Sequence, residues 1–116
     1  MKQMQIAFKT RKLKRIFDSD KEILRNYGEV RGNKLKRRMS VLRAAACLEE
    51  VPVGKPDRRH ALSLNRKGQF AVDITENYRL IFEPSNNPLP LQKDGGLDLR
   101  RITDIKILEV EDYHGD

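Results

Sequence analysis

Gln69-Phe70-Ala71-Val72-Asp73-Ile74-Thr75-Glu76-Asn77-Tyr78-Arg79-Leu80-Ile81-Phe82-Glu83 is the stretch that decides the fold. From Gln69 to Thr75 the residues alternate, with Phe70, Val72 and Ile74 on one side and Gln69, Asp73 and Thr75 on the other. Successive strand side chains point to opposite faces, so this period of two predicts a half-buried strand. Glu76-Asn77 turns the chain, and Tyr78 to Glu83 resumes the pattern with Tyr78, Leu80 and Phe82 on one face. Arg79 shares parity with Ile81, opposite to that apolar face, and is therefore expected on the open side of the hairpin.

Working outward, Arg66-Lys67-Gly68 reads as a hairpin turn and Ala61 to Asn65 as a further strand, with Leu62 and Leu64 alternating against polar residues. Val51 to Asp57 holds two prolines and a glycine and is a connecting loop. Before it, Leu35, Met39 and Leu42 have helical spacing. They predict one longer helix, or a helix broken at Gly28 and Gly32, from about Lys21 to about Glu49; two helices joined near Gly28–Gly32 form a helical hairpin. Thr10 can cap a short amphipathic helix carrying Leu13, Ile16 and Phe17, and Ser19 or Asp20 can open the next one. Met4 to Lys9 reads as a first strand. Downstream, residues 84–99 contain three prolines and Gly95-Gly96 and read as a long surface excursion. The last strand runs from about Ile102 to Val110, and its apolar parity switches between Ile107 and Leu108. Such a switch marks either a β-bulge or a strand buried on both faces. The predicted class is α+β, in the order β-α-α-β-β-β-β. A helical hairpin covers one face of a mostly antiparallel twisted sheet and leaves the other partly open. Residues 1–116 are expected to form a single domain.

Charge is unevenly spread. The net charge is +7, yet residues 1–79 hold 20 Lys/Arg against 9 Asp/Glu, while residues 80–116 hold 4 against 8. A basic body implies a phosphate-rich or acidic partner, or simply a soluble basic protein. One cysteine, Cys47, excludes an internal disulfide and reads as a small buried hydrophobe among alanines. With two histidines far from it and from each other, no metal-ligand spacing exists. Neither a membrane span nor an apolar stretch of signal-peptide length is present, so the expected location is the cytosol.

The residues able to move protons or hold phosphate are few. Glu111-Asp112-Tyr113-His114 follows the last strand, placing acid, phenol and imidazole side by side, unless this terminus frays. His60 enters a strand as an acid–base candidate or as a half-buried strand residue. Arg79 offers a planar fork to a phosphate, or makes a salt bridge to Asp73 or Glu76. Arg66, beside Lys67 at a turn, is placed for contacts to a nucleic-acid backbone or is merely solvated. The basic run that includes Lys34, Arg37 and Arg38 can hold nucleic-acid phosphates, can seat an acidic protein segment, or is a solvated helix face.

Three segments carry a family resemblance. His60-Ala61-Leu62-Ser63-Leu64-Asn65-Arg66-Lys67-Gly68, Glu76-Asn77-Tyr78-Arg79-Leu80-Ile81-Phe82 and Asp112-Tyr113-His114 resemble, in that order, motifs of HigB-type toxins of the RelE/ParE superfamily. That resemblance implies a RelE-like fold and a metal-independent endoribonuclease without cofactor, cutting mRNA on the ribosome. It also implies neutralisation by a HigA-like helix-turn-helix antitoxin. His60, Arg66, Arg79, Asp112, Tyr113 and His114 become the implied catalytic set, and Lys34, Arg37, Arg38 and Lys67 the implied RNA contacts. Two features depart from the family pattern: Ser63 stands where a Lys is common, and the 84–99 loop is longer than usual. Both imply altered specificity or slower catalysis. Within the same superfamily, a ParE-like inhibitor of a protein such as gyrase is the alternative, since it needs no acid–base groups. A plain basic RNA-binding domain is a third reading, poorly served by only seven aromatic residues.

Overall fold

A computed structural model of the chain describes residues 2–113. Its elements are β1 (Gln5–Phe8), α1 (Arg11–Phe17), α2 (Asp20–Ala44), β2 (His60–Ala61), β3 (Phe70–Thr75), β4 (Tyr78–Pro84) and β5 (Asp104–Asp112). They follow the expected β-α-α-β-β-β-β order. The strands form one sheet in the order β1-β5-β4-β3-β2, antiparallel throughout except that β1 runs parallel to β5.

Both helices begin at side-chain caps. Thr10 Oγ1 accepts from the Leu13 N–H at 3.0 Å, and Ser19 Oγ accepts from the Glu22 N–H at 3.2 Å. Inside α2, Gly28 takes φ 82° and ψ 171°, a conformation essentially confined to glycine. The chain doubles back there. A Cβ placed on Gly32 would lie 2.8 Å from Leu24 Cδ2 and 3.2 Å from Leu24 Cα, whereas eight residues of straight helix span about 12 Å. Gly28 is thus the hinge of the helical hairpin. Gly32 is instead the small residue that lets its two arms touch.

Leu35, Met39 and Leu42, one stripe of α2, are almost fully buried. They cluster with Val72, Leu80, Phe82, Ile105 and Ile107 from the covered face of β3, β4 and β5. Each such side chain contributes about 1.5–3 kcal/mol by leaving water.

Several boundaries differ from the sequence expectation. α2 ends at Ala44 rather than near Glu49. Its continuation is drawn off by tertiary hydrogen bonds: the Met4 N–H donates to Ala45 O, and the Leu48 N–H donates to Ile102 O. Cys47, in this connection, is half-buried rather than buried. The strand expected over Ala61–Asn65 shrinks to His60–Ala61, because Leu64 adopts a left-handed φ of 56° and is 90% exposed. The following turn is as expected. The Gln69 N–H donates to Arg66 O, and Gly68 at φ 93° supplies the positive φ of a type II turn. Residues 84–99 are not wholly a surface excursion, since Leu97 and Leu99 pack against the core.

The parity switch in β5 is a bulge. Phe82 pairs with Ile107 but Ile81 pairs with Glu109, leaving Leu108 as the extra residue. Ile105, Ile107 and Val110 therefore face the core, and Glu109 and Glu111 turn to the opposite face. Replacing Gly28 with Ala is expected to cost about 1–3 kcal/mol, because the added Cβ meets no neighbour but the backbone conformation is strained. Urea denaturation of the two proteins measures it.

Candidate active site

Strand register builds the site. Across the face away from α2, His60 pairs with Ala71, Ala71 with Ile81 and Ile81 with Glu109, making one row. Asp73, Arg79 and Glu111 form the next row. Paired residues on neighbouring strands share a face, so both rows converge on one surface. The result is an open cleft of about 630 Å³, bounded by residues 60–66 on one side and by Arg79, Glu111, Asp112 and Tyr113 on the other.

His60 is half-buried, and its Nδ1 lies 2.7 Å from Arg58 O. A carbonyl oxygen can only accept, so Nδ1 carries the hydrogen and Nε2 is the acceptor in the neutral ring. Two residues with left-handed backbone flank this strand, Arg58 at φ 47° and Leu64 at φ 56°.

Two arginines, Arg66 and Arg79, line the cleft and a third, Arg58, stands beside it; each meets a carboxylate. Arg79 reaches Glu111 Oε1 through Nε at 2.7 Å and Nη2 at 2.6 Å. Arg66 Nη2 donates to Glu111 Oε2 at 2.6 Å and to Glu109 Oε2 at 3.0 Å, while its Nη1 donates to Gln69 Oε1 at 2.8 Å. Arg58 grips Asp73 with two parallel bonds, Nε to Oδ2 at 2.6 Å and Nη2 to Oδ1 at 3.0 Å. Hydrogen bonding to Asp73, with a smaller part from Tyr113, raises the Arg58 pKa above its ordinary value. Hydrogen bonding to Glu109, then to Glu111, does the same for Arg66. Burial alone would raise the Glu111 carboxyl, but hydrogen bonds from Arg79 and Arg66 outweigh it and hold its pKa below the usual carboxylate range.

Tyr113 lies just past β5 and is tied down, with its N–H donating to Asn77 O at 2.9 Å. Its ring packs 4.4 Å below the Arg79 guanidinium carbon. Asp112 is exposed and lines the cleft. His114 lies outside the described residues.

The sequence matches, over residues 6–90, the family model described as the RelE-like toxin of type II toxin-antitoxin system HigB. The chain belongs to this HigB-like toxin family. Solved structures extend the likeness to nearly all of its length. The toxin resembles the YoeB/ParE toxin from Agrobacterium tumefaciens at 11% identity and a TM-score of 0.56, covering 96% of this chain and 100% of that one. It also resembles YoeB from Staphylococcus aureus, seen in a YoeB-YefM complex, at 17% identity and a TM-score of 0.51, with 97% and 99% covered. At such identities the likeness concerns the fold alone. No curated protein sequence matches the toxin.

The remaining expected RNA contacts stand elsewhere. Lys34 and Arg37 belong to α2, which covers the other face of the sheet. Lys67 is exposed beside Arg66 but lines a separate apolar depression with Leu89 and Leu97. Arg38 requires a correction, because it is 6% exposed and cannot present itself to a phosphate from the surface. Its Nε donates to Asp73 O at 2.5 Å and sits 3.8 Å from buried Asp57 Oδ1, which has no hydrogen-bond partner. Arg58 is a site residue that sequence reasoning passed over, and Glu111, named in the C-terminal run, was left out of the implied catalytic set. For Glu111 the signal was present, in a parity switch that turns an acid toward the Arg79 face. Among the described residues no three His, Cys, Asp or Glu side chains gather to hold a metal ion, and no helix is long and apolar enough to cross a membrane.

Two stability measurements follow from these contacts. Arg38→Ala strands the Asp57 carboxylate and is expected to cost about 3–5 kcal/mol, whereas exposed Arg37→Ala changes stability by less than about 0.5 kcal/mol. Chemical denaturation separates the two. Glu111 has a depressed pKa, so its stabilisation is present above the ordinary carboxyl value of 4.5 and is lost as pH falls through the lower folded value. Wild type is expected to melt above Glu111→Gln at neutral pH, with the gap closing in acid below that range. A pH series of thermal melts checks it.

Proposed function

We propose that this toxin is a metal-independent endoribonuclease that cleaves mRNA, acts on the ribosome and is neutralised by a helix-turn-helix antitoxin of the HigA kind. The observation that carries the reading is convergence: His60, Arg66, Arg79 and Tyr113 come from four separate segments onto one cleft. A protein that only grips another protein has no need of an imidazole with a free acceptor nitrogen beside two phosphate-sized forks.

The chemistry asks for three things. A base takes the proton of the ribose 2′-OH, whose oxygen attacks phosphorus. The P–O5′ bond breaks, and an acid returns a proton to that oxygen, leaving a 2′,3′-cyclic phosphate and a 5′-hydroxyl. His60 Nε2 is suited to accept the first proton, because its Nδ1–H is engaged by Arg58 O. Arg79 and Arg66 stabilise the charge that builds on the phosphorane oxygens, usually the largest single contribution. The Tyr113 ring is placed to stack on an unpaired base, as single-stranded RNA recognition favours. Asp112, at the end of β5 and in the cleft lining, is a further acid–base candidate, and the family resemblance adds His114 to that set. An antitoxin partner is supported by the Staphylococcus aureus relative, whose structure is a YoeB-YefM complex. Half-buried Lys34 and exposed Arg37 of α2, with exposed Lys67, are the cations assigned to ribosomal RNA phosphates outside the cleft.

Expression without a partner is expected to arrest growth, and purified toxin added to a translation extract is expected to cut mRNA. Intact message and normal growth would remove the proposal. His60→Ala is expected to slow cleavage by about 10²–10⁴-fold with the fold retained by circular dichroism. Arg79→Ala is expected to relieve growth arrest, and undiminished toxicity would take Arg79 out of the site.

A further inference from the structure

We propose that the Glu111 carboxylate occupies the phosphate cradle of the resting toxin, and that RNA binds by exchanging a backbone phosphate for it. The inference deepens the nuclease reading and rests on it for the identity of the incoming anion. Its geometric basis is independent of cleavage.

The two oxygens of Glu111 are divided between two guanidiniums on different elements. Oε1 takes both the Nε and Nη2 of Arg79 on β4, and Oε2 takes Nη2 of Arg66 on the turn before β3. A phosphodiester has the same equipment, two acceptor-only oxygens on one centre, and arginine forks bind carboxylate and phosphate interchangeably. Carboxylate and phosphate cannot share the cradle, because two anions at that separation repel strongly.

Charge supports the same conclusion. The chain carries +7, yet the cleft arginines Arg66 and Arg79 and the neighbouring Arg58 are matched by Asp73, Glu109 and Glu111, with Asp112 in the cleft lining adding a further acid. A polyanion site in a basic protein is expected to be electropositive. Here three arginines face four acids at rest, and the forks of Arg66 and Arg79 are uncovered only when Glu111 withdraws. Glu109, already 3.0 Å from Arg66, keeps that arginine oriented during the exchange. A lone phosphate has to evict a charge-assisted pair and gains little. A strand that also engages Tyr113 and His60 gains enough to do so. The exchange thereby selects RNA delivered with its bases splayed over stray anions.

The test uses Glu111→Gln, which keeps the shape and removes the charge. Its ligands are inorganic phosphate and a short RNA whose 2′-hydroxyls are replaced by hydrogen, so that nothing is cut. Fluorescence anisotropy with the oligonucleotide is expected to show binding tightened by about tenfold, the scale of one charge-assisted competitor removed. Phosphate is expected to raise the melting temperature of the variant more than that of wild type. Adding Arg79→Ala is expected to abolish both gains. Glu111→Asp, one methylene too short to reach both forks, is expected to give a smaller gain of about two- to threefold. It decides the matter if the glutamine variant fails to fold. Binding that is unchanged or weaker in a folded variant would overturn the exchange, because a carboxylate that merely orients the arginines must weaken binding when removed. Tighter binding by Glu111→Gln with no mRNA cleavage by wild type keeps the exchange and discards the nuclease. Cleavage without tightening discards the exchange alone.

Discussion

Pairing of β5 with β4 is the constraint on which the rest of the molecule hangs. Those strands join the core face to the cleft face, and the single-residue slip at Leu108 decides which side chain goes where. Without the slip, Glu109 and Glu111 would continue the parity of Ile105 and Ile107 into the apolar core, where an unpaired carboxylate is costly. With it, Ile107 and Val110 both stay with the core, and the two acids meet Arg66 and Arg79. One irregularity in a ladder thus supplies a packed sheet and a charged cleft together.

Much of this architecture is legible in the residues, for identifiable reasons. The β3–β4 hairpin announces itself because a period of two leaves few other readings, and Arg79 then has to face away from Leu80 and Phe82. Thr10 and Ser19 act as caps because short side-chain oxygens satisfy the first helical N–H groups wherever they occur. Gly28 and Gly32 look alike in sequence but differ in role. One supplies a backbone angle and the other a missing side chain, and only the partner Leu24 tells them apart.

What the residues alone could not convey is long-range. Ala44-Ala45-Ala46 is excellent helix material, yet its hydrogen bonds are claimed by Met4 and, just beyond, by Ile102. Leu64 has the parity of a strand residue and is instead turned out into water by a left-handed backbone. Arg38 sits in a basic run whose other members are half-buried or exposed, and nothing local marks Asp57 as its distant counter-charge. The pairing of Arg66 with acids more than 40 residues away is of the same kind, visible only once the sheet is closed.

The parallel pairing of β1 with β5 bears on how the protein is made. β1 emerges first, yet its sheet neighbour is the last strand in chain order, and every backbone partner it has in the sheet belongs to that strand. Nascent chains that stop short of β5 have no Ile105 or Ile107 to close the interior and no Glu111 to meet the arginines. The β2-β3-β4 meander can pair on its own, but the five-stranded sheet and the charged cleft are complete only once translation has passed the final strand.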